Sequence, residues 1–119
     1  MEVEEDSKEL LRYVASLVAS KVVDYIIDRL KGRRIRDIDV TVRILDYEKL
    51  NFEIDVNIET DLLVKDEMLR EVADSAVEYG FQILDKVINH ILKRNFKVSK
   101  DEIERIIKQF SRTNTNNNP

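Results

Sequence analysis

Apolar residues near the start of the chain recur at spacings of three and four: Leu11, Val14, Val18, Val22 and Tyr25, with Leu10, Leu17 and Ile26 widening the stripe. That spacing puts them on one face of a helix and predicts an α-helix over 7–31. Asp6 and Glu9 stand at capping-box spacing at its start. Gly32 is placed to end it in a left-handed conformation, after Arg29 and Lys31 in the last turn.

The period then drops to two. Ile38, Val40, Val42 and Ile44 alternate with Asp37, Asp39, Thr41 and Arg43, and after a short break Leu50, Phe52, Ile54, Val56 and Ile58 alternate with Asn51, Glu53, Asp55, Asn57 and Glu59. Such β-branched alternation predicts two strands, 37–46 and 50–59, each with one buried face. The link Tyr47-Glu48-Lys49 is short enough to force an antiparallel hairpin. Opposed side chains share a face, so paired residue numbers sum to an even value. Setting Arg43 opposite Glu53 and Thr41 opposite Asp55 is preferred over the register that sets Arg43 opposite Asp55.

Helical spacing returns over 64–94, where Leu69, Val72, Ala73, Ala76, Gly80, Ile83, Leu84, Val87 and Ile91 form a continuous stripe. Gly80, with Ala73 and Ala76, makes a small-residue strip that lets another backbone come close, and Ala15 and Ala19 are its expected counterparts. Beyond Gly80 the apolar arc broadens into a shoulder of Phe81, Ile88 and Leu92. A third, three-turn helix is predicted over 100–110. Ser99 and Glu102 have capping-box spacing, and Ile103, Ile106, Ile107 and Phe110 lie on one face. So short a helix must dock to persist, and the shoulder is the surface expected to receive it, in the same chain or in a partner. Residues 111–119 hold no apolar side chain and are expected to be disordered.

The order α-β-β-α plus a short helix predicts a single α+β domain over 1–110, with two long helices on one face of a hairpin. At 119 residues the chain suits one domain. Its charge is dense but balanced, 20 basic residues against 24 acidic, which argues against a polyanion binder driven by bulk charge. The lack of cysteine excludes disulfides, thiolate metal sites and cysteine nucleophiles. No apolar run reaches membrane-span length and the first residues are acidic, so a cytoplasmic location is expected. Absent cysteine, scarce glutamine and abundant Ile, Val, Lys, Arg and Glu fit a hyperthermophile.

Candidate chemistry is thin. Arg29, Lys31, Arg33, Arg34 and Arg36 form a basic run, and Arg33, Arg34 and Arg36 are the candidate RNA contacts. The same cations also suit a helix C-terminus and a solvated turn. The polar strand face, with Asp37, Asp39, Glu53, Asp55 and Glu59, is hostile to RNA and offers no stacking aromatic. Those acids could pair for acid–base work or hold a cation, but alternation alone puts acids on the wet face of any hairpin. His90 has no histidine or cysteine companion and reads as structural. No phosphate loop, nucleophile elbow or zincin motif is present, so neither catalysis, a metal nor a cofactor is expected. Two strands leave two open edges, and with the apolar shoulder they point to a homodimer or a subunit of a larger complex.

The segments Ile38-Asp39-Val40-Thr41-Val42, Leu50-Asn51-Phe52-Glu53-Ile54-Asp55-Val56, Leu69 through Ala76, and Phe81 resemble a small archaeal family of unknown function. Its members look like α-β-β-α proteins and tend to be encoded near the prefoldin β subunit. The resemblance covers about residues 7–93 and implies the α-β-β-α fold, with the third helix extra. A looser similarity in size and helix–hairpin–helix layout is to the small dimerisation subunit of the KEOPS complex, which opens with a strand where this chain opens with a helix. That likeness implies a tRNA-associated accessory role. Neither resemblance brings catalytic or binding residues with it.

Overall fold

The computed structural model describes residues 4–31, 35–61 and 64–116. The elements are α1 (Glu5–Leu30), β1 (Ile35–Asp46), β2 (Asn51–Thr60), α2 (Asp66–Lys93) and α3 (Lys100–Asn116). Class and order are those expected, α+β with a two-stranded antiparallel sheet.

β1 and β2 pair in the register that opposes Arg43 to Glu53 and Thr41 to Asp55. Arg43 Nε donates to Glu53 Oε1 at 2.9 Å, and its Nη2 also reaches Asp55 on the diagonal. The register shifts at both ends, between Ile35 and Asp37 and between Ile44 and Asp46. Leu50, expected to open the second strand, lies in the turn with φ 55°. Asp46 holds that turn by accepting from the amides of Glu48 and Lys49 at 2.9 and 3.1 Å.

α1 lies over β1 and α2 over β2, and the two helices pack on each other. Gly80 is a point of close approach. A Cβ there would lie 2.7 Å from Ile54 Cδ1, 3.0 Å from Val22 Cγ2 and 3.7 Å from Val18 Cγ1. The small-residue strip therefore admits valine and isoleucine side chains at Gly80, where Ala15 and Ala19 were the expected counterparts.

Helix ends depart from expectation in detail. α1 begins after Glu4, without a side-chain cap, so Asp6 lies inside the first turn. Its left-handed closing residue is Lys31, with φ 45° and a hydrogen bond from its amide to Ile27 O. Gly32 lies outside the described residues. Ser99 does cap α3, its hydroxyl accepting from the Glu102 amide at 3.1 Å. α3 continues past Phe110 into the stretch expected to be disordered, where the hydroxyls of Ser111 and Tyr79 are 3.2 Å apart.

The docking of α3 is the main correction. It packs on α1 and α2 of its own chain and on neither strand. Ile103 and Ile107 are buried in the core with Ile83, Val87 and Ile91, while Ile106 and Phe110 are half-buried against it. The shoulder stays uncovered: Phe81 is 37% and Leu92 46% exposed, with Ile88 half-buried. The reason is geometric, since the groove between two packed helices offers two apolar walls to a short helix and the shoulder offers one.

Candidate functional site: an open strand edge under an apolar helix shoulder

Among the described residues the sheet holds two strands, so the outer edges of β1 and β2 carry no partner strand. The geometry of α2 decides what overhangs the β2 edge. Gly80 faces α1 and Ile54, while Tyr79 and His90 face α3. Residues turned about a quarter of the helix the other way, Phe81, Ile88 and Leu92, therefore lie above the outer side of β2. They recur at spacings of seven and four, Phe81 and Leu92 exposed and Ile88 half-buried, where no further strand of the described residues lies beneath them.

Leu92 continues this surface into a cleft of about 710 Å³ at the hairpin end, lined by Leu10, Tyr47, Leu50, Phe96 and Val98, with Glu4, Asp6 and Lys97 among its polar residues. Glu4 and Asp6, from the acidic start of the chain, line this cleft together with Lys97. Leu50, Asn95 and Phe96, all lining this cleft, have positive φ. Asn95 and Phe96 close α2, with the Phe96 amide donating to Ile91 O at 2.9 Å, a six-residue closure typical of helix ends.

Polar contacts tie the elements together. Arg12 Nη1 donates to the Tyr47 hydroxyl at 3.2 Å and Nη2 to Glu5 at 3.0 Å, and both bonds hold its guanidinium above its ordinary pKa. The Tyr13 hydroxyl donates to Glu104 at 2.6 Å, which raises the tyrosine pKa. His90 Nε2 lies 2.5 Å from Glu102 Oε2, and that hydrogen bond is the main cause holding the Glu102 carboxyl below its usual range. Tyr25 stacks on Tyr79 at 4.6 Å between ring centroids, with Phe110 5.8 Å beyond. Through Glu102, His90 ties α2 to α3. These tyrosine contacts were not legible beforehand, because their partners lie up to 91 residues apart.

Of the three candidate nucleic-acid residues, Arg36 is the one that falls among the described residues. Arg36 is exposed at the start of β1, beside a depression that also holds Glu59, Asp61 and Asp66. Arg33 and Arg34 lie outside the described residues. Asp37, Asp39, Asp55 and Glu59 are exposed and Glu53 half-buried on the strands, with Arg43 bridging Glu53 and Asp55. Among the described residues no group of three or more His, Asp or Glu side chains is placed to hold a metal ion, and no helix is long and apolar enough to cross a membrane.

A hairpin roofed by two antiparallel helices, with a third helix on their far side, defines a small α-β-β-α protein whose exposed chemistry is a strand edge and an apolar stripe. The chain belongs to a family of proteins of unknown function, DUF3194, whose model matches residues 4–87, from α1 into α2. It is similar to an uncharacterised protein of Pyrococcus horikoshii, 24% identical over 82% of this chain and 84% of the relative. An uncharacterised protein of Pyrococcus furiosus is 32% identical over 70% of this chain and 78% of its own. A crystal structure from Thermococcus onnurineus NA1 superimposes with a TM-score of 0.61 at 31% identity, covering 79% of this chain and 90% of that one. These relatives are archaeal, as the family resemblance implied.

Proposed function

We propose that the protein is a non-catalytic, cytoplasmic interaction or assembly subunit, working as a homodimer or within a larger complex. The observation that carries this reading is the pairing of an open β2 edge with the exposed Phe81 and Leu92 above it. An unpaired strand edge presents backbone donors and acceptors in register, and an apolar shoulder beside it adds surface that association removes from water. α3 does not satisfy either feature, because it is docked elsewhere in the same chain. The acids on the strand face sit on an open, solvated surface with Arg43 among them, which favours binding over acid–base chemistry.

Light scattering across a concentration series, joined to purification from native extract, tests the proposal. The expected result is a mass above the 14.0 kDa of the monomer, or a partner recovered in fixed stoichiometry. A strict monomer that brings down nothing would overturn it. RNA binding through Arg33, Arg34 and Arg36 is the competing idea, and a salt-sensitive tRNA gel shift lost on changing all three to glutamate would favour that instead.

A further inference from the structure

The charges around the β2 edge narrow what fits it. On the solvent face of β2 stand Glu53, Asp55, Asn57 and Glu59, with no cation of its own strand. Above the edge, the outer side of α2 carries Asp74, Glu78, Phe81, Asp85, Ile88 and Leu92 in one line at spacings of four and three. The three acids of that line are exposed. The open edge is therefore an apolar slot with carboxylates on both sides, answered nearby by Arg43 from β1 and by Arg70, one turn before Asp74 on α2.

We infer that the β2 edge receives an extended polypeptide segment in which apolar and basic residues alternate. This rests on the interaction reading above. An added strand alternates its side chains between the two faces of the sheet. Its apolar set continues the row Phe52, Ile54, Val56 and Ile58 and fills the space beneath Phe81, Ile88 and Leu92. Its basic set falls beside Glu53, Asp55 and Glu59, where opposite charges across strands are favourable.

A second copy of this chain is the wrong occupant. Antiparallel pairing of β2 with itself centred on Asp55 opposes Asp55 to its mate, and centring on Val56 opposes Glu53 to Glu59. Like charges meet in both registers. The overhanging α2 helices of the two copies would also converge above the shared edge. A free strand brings no helix, and basic residues on it relieve the acids.

The test uses the full-length protein and a synthetic peptide of alternating lysine and valine as long as β2. The controls are a peptide of the same composition with its lysines and valines in two blocks, and a glutamate–valine counterpart. The alternating peptide should bind at least about tenfold tighter than either control and slow amide hydrogen exchange in β2 but not in β1. Phe81→Ser combined with Leu92→Ser, both at exposed positions, should weaken it about tenfold while leaving the melting temperature nearly unchanged. Equal binding of the blocked peptide, protection on β1, or no binding would overturn the inference. So would a homodimer that buries β2. If the protein associates with itself or a partner while the peptide leaves β2 exchange unchanged, the basic-strand assignment falls and the wider interaction reading stands.

Discussion

Gly80 and Ile54 are packed so closely that a methyl group on Gly80 would sit 2.7 Å from the Ile54 Cδ1 atom. Glycine inside a helix ordinarily costs about 1 kcal/mol relative to alanine, so Gly80→Ala gains that much in local propensity. The overlap with Ile54 and Val22 opposes it, at a typical overpacking cost of about 1–3 kcal/mol. The expected outcome is net destabilisation in denaturant unfolding. Ile54→Val, which removes the offending Cδ1, should recover much of the loss in the double variant. Additive losses would show that the contact is not the cause.

The attachment of α3 rests on Ile103 and Ile107, which are 0% and 2% exposed. Either residue changed to alanine should cost about 2–4 kcal/mol, whereas Ile106→Ala, at a half-buried position, should cost less. Deleting 99–119 uncovers Ile83, Val87 and Ile91 in the groove between α1 and α2. The truncated chain should melt lower or self-associate, read by calorimetry and light scattering. Unchanged behaviour would show that α3 is idle.

The His90–Glu102 contact gives α3 an acid-sensitive tether. Hydrogen bonding from His90, with added attraction from Arg94 and Arg105, lowers the Glu102 pKa in the folded protein. A carboxyl lowered on folding contributes stability that is present above its unfolded pKa and lost as pH falls through its folded one. Melting temperature should therefore drop across the acid side of the carboxylate range, and Glu102→Gln should flatten that limb. The Tyr13–Glu104 bond has the opposite sign. Its raised tyrosine pKa stabilises below the ordinary tyrosine range, and that contribution is lost as pH rises through the folded pKa.

Lys31 closes α1 with φ 45° and ψ 57°, a conformation that favours glycine. Its side chain is exposed, so Lys31→Gly should stabilise the protein by roughly 1 kcal/mol through relief of this strain. A thermal melt reads the change. A lower melting temperature would mean that the unfolded chain's added freedom outweighs the relief.

Elements set by local periodicity were readable from sequence to within a few residues. The two-residue alternation of Ile38–Ile44 and Phe52–Ile58 yields both strands, and the charge of Arg43 against Glu53 selects their register. What could not be read depends on contacts distant in sequence. Ile103 and Ile107 mark an apolar helix face, but no local pattern says whether the groove or the shoulder receives it. The groove wins because it buries both isoleucines between two helices. Gly80 signals a close approach without naming Ile54 or Val22 as what approaches. The capping pattern at Asp6 failed for a local reason: the helix gains two residues by starting at Glu5, where its acids still face the positive end of the dipole. The open site itself was legible in outline, as a shoulder and an edge. That they lie side by side required the fold.

Site-directed photocrosslinking tests that juxtaposition most directly. A benzophenone-bearing residue placed at position 81, above the β2 edge, or at position 20, on the flank of α1 turned away from α2, would be irradiated in native extract. The account predicts one discrete higher-mass adduct from position 81, lost when Glu59 and Asp85 are changed to lysine, and none from position 20. No adduct from position 81, or the same adducts from both positions, would contradict it.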